Sequence, residues 1–140
     1  MSGFPENMRL ILAHKQSTSA RVRFLCFAHG ICAFAPLPKL STFDEDAPAP
    51  QVVHHPGVYL RPAEQRLGLP EGSLKQEPEF FAFVQAPDET IAVNLALIAT
   101  IDPPFAAAEA AGARFIAITE ARNFSEVELG LLRRAYPILV

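Results

Sequence analysis

The sequence predicts a single α+β domain over residues 1–140, with a mostly antiparallel sheet and two short helices in the C-terminal third. Half of the 140 residues are hydrophobic and the net charge is −3, so the chain can bury a core without disulfides or a metal. Thirteen prolines argue against long helices. Short alternating apolar segments run along the chain, and two capped helical segments occur near its end.

The first third of the chain reads as strands. Residues 8–14 form a short apolar segment, and residues 21–28 begin with polar and apolar side chains in alternation, as in a half-buried strand. His29 and Gly30 are suited to a tight turn, after which residues 31–35 would return as the partner strand. One apolar helix over residues 20–35 is the alternative, and the β-branched and aromatic content disfavours it.

The middle section, residues 36–89, holds nine of the thirteen prolines and reads as loop-rich. Within it, residues 41–50 contain an acidic stretch followed by alternating alanine and proline, which predicts an exposed loop. Pro62 and Gly68 bracket residues 63–67, where one or two turns of helix are expected.

The last third shows clearer patterns. Residues 80–85 and 90–101 flank a turn-rich connection and predict a hairpin. Asp102 followed by Pro103 is typical of a helix start, and the strand expected next covers residues 113–119.

A capping box marks the final helix, which is expected from Glu126 to about Tyr136. Ser125 and Glu128 supply the two sides of that box. Across the whole chain the expected core is apolar and consists of Leu10, Leu12, Phe24, Phe81, Phe83, Val93, Leu95, Leu97, Phe115, Ile116, Ile118, Leu129 and Leu132.

One candidate ligand site depends on the direction of the last two strands, which the sequence does not decide. If residues 90–101 and 113–119 form neighbouring parallel strands, both end at the same edge of the sheet, where open α/β sheets bind ligands. The polar side chains following these strands are Asp102, Glu120, Arg122 and Asn123. Arg122 could hold a carboxylate or phosphate, whereas the alternative is that these residues cap helices or lie in a solvated turn.

Two histidine patterns are further candidate sites. His54 and His55 precede a proline, and either could donate or accept a proton near neutral pH, although an exposed loop pair is the default interpretation. Cys26, His29 and Cys32 are spaced like metal ligands. In the predicted hairpin the two cysteines face opposite sides, so we expect no metal and no cofactor there.

Charge and cysteine content limit the partners. Residues 1–39 carry a net charge of +4 and residues 40–140 a net charge of −7. The basic side chains of the first segment are too sparse for a nucleic-acid interface, and the chain has no tryptophan to stack on bases. The apolar segments are too short to span a membrane, and the N-terminus is a poor signal peptide. With two cysteines, a cytoplasmic protein with reduced thiols is expected.

No nucleophile or phosphate-binding motif occurs in the sequence, so whether the protein is an enzyme is left open. The leading expectation is a non-catalytic binding or adaptor domain that forms a homodimer through surplus apolar surface. The alternative is a small enzyme, or a receptor for a small carboxylate or phosphate, using the edge that carries Asp102, Glu120, Arg122 and Asn123.

Overall fold

The structure is a computed structural model that describes residues 7–45 and 55–140. These residues form seven strands and three α-helices, with a 3-10 turn at Ile118–Glu120. The elements in chain order are β1 (Met8–Lys15), β2 (Val22–Cys26), β3 (Thr42–Asp44), α1 (Pro56–Leu67), β4 (Leu74–Gln76), β5 (Ala82–Ala86), β6 (Glu89–Ile98), α2 (Phe105–Ala110), β7 (Arg114–Ile116) and α3 (Glu126–Leu139).

The predicted α+β class is confirmed, and the sheet is mixed. Its strand order is β3–β5–β6–β1–β2–β7, and β4 pairs with the part of β6 that β5 leaves free. At its centre β1 and β6 run parallel, with Met8 opposite Ala92 and Ala13 opposite Leu97. The other described pairs are antiparallel.

Helices cover both faces of the sheet. Ile11 and Ala13 of β1 point into a core shared with α3. Leu10 and Leu12 point into a second core shared with α1 and α2. Burial on both faces explains why the central strands are almost continuously apolar.

The predicted hairpin between residues 21–28 and 31–35 is wrong in its second half. The two-residue turn is Ala28–His29, with Phe27 and Gly30 exchanging backbone hydrogen bonds. Beyond the turn, Cys32 bridges to β1 and not to β2. The free edge of β2 is taken by β7, which is why the return segment has no partner there.

The middle section is more ordered than its proline content indicates. Helix α1 has 12 residues and begins well before the predicted start at residue 63. It ends at Gly68, which adopts the left-handed conformation (φ 67°). Strand β3 lies inside the predicted exposed loop 41–50, of which residues 46–50 are outside the described residues.

The predicted C-terminal hairpin and helices are present at roughly the predicted positions, although β7 covers only three of the seven residues 113–119 predicted as a strand. The β5–β6 hairpin and the Ser125–Glu128 capping box are both present. Helix α3 continues past Pro137 to Leu139, since a proline in the last turn removes only one backbone donor. No helix in residues 7–45 or 55–140 is both long enough and apolar enough to cross a bilayer.

Candidate functional site

Asp102 does not cap a helix. The N-cap of α2 is Pro104, which makes no side-chain cap, and α2 has six residues. The Asp102 carboxylate instead accepts a hydrogen bond from Gln16 Nε2 at 3.1 Å. Gln16 Oε1 in turn accepts from Arg23 Nη1 at 3.0 Å, so Asp102 joins a polar chain at the β1–β2 turn.

The predicted edge site needs two strands that are parallel and adjacent, and only the first condition is met. Strands β6 and β7 run in the same direction, because β6 is parallel to β1 and β7 is antiparallel to β2. They are not neighbours, since β1 and β2 lie between them. Three strand spacings separate their ends by roughly 14 Å.

The other members of that predicted site lie in the turn after β7. Glu120 Oε1 accepts from the backbone N–H of Ala117 at 2.8 Å and so closes the 3-10 turn. Arg122 and Asn123 are exposed. None of the clefts described below is lined by Asp102, Glu120, Arg122 or Asn123, and ligand binding by these residues stays a prediction.

Of the two adjacent histidines, the structure describes one. His54 falls outside the described residues. His55 is the N-cap of α1, where its Nδ1 accepts from the backbone N–H of Gly57 at 3.1 Å. A histidine that accepts a backbone N–H in this way stabilises the helix start, which is a structural role.

Both cysteines lie in the core on the α3 side, not on opposite faces as expected. The expectation failed because Cys32 pairs with β1 and not with β2. Burial raises the pKa of Cys32 to about 12 and also raises the pKa of Cys26. Thiols that keep their protons are poor nucleophiles and poor metal ligands, and no metal-binding cluster occurs among the described residues.

His29, the third member of that pattern, is exposed at the tip of the β2 turn. Its ring stacks on Phe27 with centroids 5.6 Å apart and planes 10° apart. Its Nε2 lies 2.6 Å from the carbonyl oxygen of Cys32. A carbonyl only accepts, so Nε2 carries the proton and Nδ1 is the ring's other polar atom.

Two clefts meet at His29. The first, here called the α3 cleft, has a volume of about 280 Å³ and lies between residues 36–41 and the start of α3. The second, here called the aromatic cleft, has a volume of about 410 Å³. The described lining of the aromatic cleft consists of Phe27, Ala28, His29, Phe34, Arg66, Ala111 and Gly112.

The wall of the α3 cleft is tied to the sheet by Arg9. Its guanidinium donates to the carbonyl oxygen of Pro36 from Nε at 3.2 Å and from Nη2 at 3.1 Å. On the opposite wall the Glu128 carboxylate accepts hydrogen bonds from the backbone N–H of Ile31 at 2.8 Å and from the Ser125 hydroxyl at 3.0 Å. These bonds fix both sides of the cleft, and Lys39 adds a basic side chain.

Backbone strain occurs at both clefts. Phe34 lines the aromatic cleft with φ 71°, and Leu40 lines the α3 cleft with φ 64°. Large non-glycine side chains rarely adopt this conformation, and such residues cluster at functional sites. Leu40 is also 85% exposed, so burial of its side chain does not account for its position.

Two buried polar atoms lack a hydrogen-bond partner in the described structure. His14 is fully buried on β1, and its Nε2 lies 2.8 Å from the carbonyl oxygen of Thr100, whereas its Nδ1 is unpaired. The hydroxyl of Tyr59 is unpaired in the core beneath α1, and burial raises its pKa to about 12. Neither residue lines one of the clefts at His29.

Comparison with known proteins adds no family. No protein-family model matches the chain, and no curated protein matches it either. The site therefore has to be interpreted from its own geometry.

Proposed function

We propose that this protein is a non-catalytic ligand-binding domain whose binding surface is the pair of clefts that meet at His29. The observation that carries the proposal is that one exposed imidazole forms a wall of both clefts. Their volumes, about 280 and 410 Å³, are near the range of small-molecule sites. Strained backbone at Phe34 and Leu40 supports the same surface.

Binding without catalysis fits the groups available near His29. The two thiols are buried and retain their protons at neutral pH. The carboxylate of Glu128 is committed to the backbone of Ile31 and to Ser125. Of the polar groups around the clefts, Nδ1 of His29 and the basic side chains of Lys39 and Arg66 are the ones best placed to meet a ligand.

A small enzyme or anion receptor at the edge with Asp102 and Arg122 is the alternative. Its support is weaker, because Asp102 is bonded to Gln16 and Glu120 closes its own turn. The strand ends that would carry this site are separated by two strands.

A fragment screen followed by NMR tests the proposal. Fragments that bind wild-type protein should shift the backbone amides of residues 27–40 and of the first turn of α3. His29→Ala should weaken these fragments at least about tenfold, since it removes a wall common to both clefts. Arg122→Ala, which alters an exposed side chain that lines neither cleft, should leave them bound. Fragments that cluster around Asp102 and Arg122, or no binding at the His29 clefts, would contradict the proposal.

A further inference from the structure

The described lining of the aromatic cleft carries a positive charge. Among these residues Arg66 is a cation and none is acidic. The ion pairs of the described residues involve Arg61 and not Arg66. Within residues 7–45 and 55–140 Arg66 has no ion-pair partner, so a ligand entering this cleft meets a positive charge that these residues do not neutralise.

Arg66 lies over the ring of an aromatic side chain. Its guanidinium carbon lies 4.5 Å from the centroid of the Phe34 ring. Stacking of this kind orients the planar guanidinium and leaves its N–H edge able to bind two oxygens of a carboxylate or phosphate. Arg66 also lies in the last turn of α1, which fixes the start of its side chain.

The remaining walls are aromatic. The rings of Phe27 and His29 are stacked, and Phe34 lies edge-on to Phe27 with centroids 5.8 Å apart and planes at 63°. Aromatic walls favour planar ligand rings through stacking and edge-to-face contacts. The unbonded Nδ1 of His29 offers an acceptor to a ligand N–H or O–H.

We propose that the aromatic cleft binds a planar aromatic anion, meaning a ring system that carries a carboxylate or a phosphate. The anionic group pairs with Arg66 while the ring lies against Phe27, His29 and Phe34. This inference rests on the proposed function, because it names the class of ligand for one of the two clefts at His29.

Matched pairs of probes separate charge from ring binding. We would titrate labelled protein with two pairs of probes. One pair is 1-naphthoate and its neutral amide, and the other is adenosine 5′-monophosphate and adenosine. Each anion should bind at least about tenfold more tightly than its neutral counterpart, as expected for a charge-assisted bidentate contact. The amides of Ala28, Phe34 and Gly112 should shift. Tighter binding of either anion than of its own neutral counterpart supports the inference.

Variants of Arg66 locate the charge effect. Arg66→Gln should remove the preference for the anions, and Arg66→Lys should recover it only in part, because an ammonium lacks the planar fork. Arg122→Gln is the matched control and should bind like wild type. Equal affinity for anions and neutral probes, an unchanged preference in Arg66→Gln, or a loss in Arg122→Gln would each overturn the inference.

The two proposals fail in different ways. If neutral and anionic fragments occupy the aromatic cleft equally, the ligand class is wrong and the ligand-binding function stands. If no fragment of either charge binds at the clefts around His29, both proposals are wrong.

Discussion

Because Gly30 has no side chain, the turn after β2 can lie close to Glu128 of α3. The Gly30 backbone has φ 136°, and a Cβ placed there would clash with Oε2 of Glu128. That oxygen accepts the backbone N–H of Ile31, while the other carboxylate oxygen bonds Ser125. Glu128 therefore caps its own helix and positions the loop that carries His29.

Gly30→Ala should destabilise the fold by about 2–4 kcal/mol, because it adds backbone strain and displaces the Glu128 carboxylate. The measurement is urea unfolding of the variant beside wild type. Gly112→Ala is the control, since Gly112 also has positive φ (72°) but a Cβ there meets nothing within 4 Å. It should cost about 1 kcal/mol, the penalty of the left-handed conformation alone. Equal losses in the two variants would show that the Glu128 contact contributes nothing.

The buried thiol of Cys32 predicts a loss of stability in alkali. Its pKa is raised to about 12 in the folded chain by burial, whereas the unfolded thiol titrates near its ordinary value of 9.0. Between these values the folded state binds more protons, so the free energy of unfolding falls as pH rises and is unaffected below about pH 9.

Urea unfolding at pH 8 and pH 10 measures this effect. The decrease between the two pH values should be about 1 kcal/mol smaller in Cys32→Ala than in wild type. Comparing the decrease within each protein removes the cost of the cavity left by the substitution, because that cost is the same at both pH values. A decrease of the same size in both proteins would show that Cys32 does not titrate on unfolding.

Residue roles were predictable only where the partners are close in sequence. Ser125 and Glu128 are three positions apart, so their capping box could be found by inspection. The bond from Glu128 to Ile31 spans 97 positions, and the bond from Gln16 to Asp102 spans 86. Such pairs depend on how the strands are ordered, which local patterns do not encode.

At the scale of elements, one buried carboxylate organises the connection from α1 to β4. Glu64 is 3% exposed, and its Oε2 accepts the backbone N–H groups of Gly72 and Leu74, each at 2.9 Å. Arg61 lies 3.5 Å from the other oxygen. The turn entering β4 is therefore built around a side chain of α1.

Glu64→Gln should destabilise the protein by about 2 kcal/mol. The amide has one acceptor oxygen in place of the two carboxylate oxygens, and its hydrogen bonds are no longer assisted by a negative charge. Glu71→Gln is the matched control. Glu71 is 78% exposed and 3.8 Å from Arg61, so its loss should change stability by less than about 0.5 kcal/mol. Thermal unfolding of both variants provides the comparison, and similar midpoints would contradict the role given to Glu64.

The elements themselves were predicted best where the hydrophobic pattern is complete within one short segment. The β5–β6 hairpin and helix α3 satisfy this condition. The parallel pairing of β1 with β6 does not, because its partners are about 84 positions apart in the register Met8–Ala92. Within β5, Ala82 and Val84 fill the α3-side core, so the larger Phe81 and Phe83 were the wrong choice of inward side chains.

For the whole molecule, the homodimer stays a prediction. Ile101 is 81% exposed and Phe105 is 57% exposed, and these two apolar side chains lie close in sequence at the start of α2. Light scattering across micromolar concentrations should give the mass of a dimer, and Phe105→Ser should shift the population towards monomer. A wild-type protein that is monomeric throughout this range would rule the dimer out.

The candidate site could be predicted only in part, since the sequence marks His29 as one of three residues spaced like metal ligands and not as the wall of a cleft. Its neighbours in the clefts come from separate segments, namely Phe34, Leu40 and Arg66. No local pattern brings those residues together. The edge site with Asp102, Glu120, Arg122 and Asn123 requires adjacent parallel strands, and β6 and β7 are not adjacent.

Soaking crystals of the protein with a fragment library is the most direct test that a ligand binds at His29. We expect bound fragments in the aromatic cleft or the α3 cleft, in contact with the His29 ring. Fragments found repeatedly beside Asp102 and Arg122, with both clefts at His29 unoccupied, would contradict the proposed binding surface.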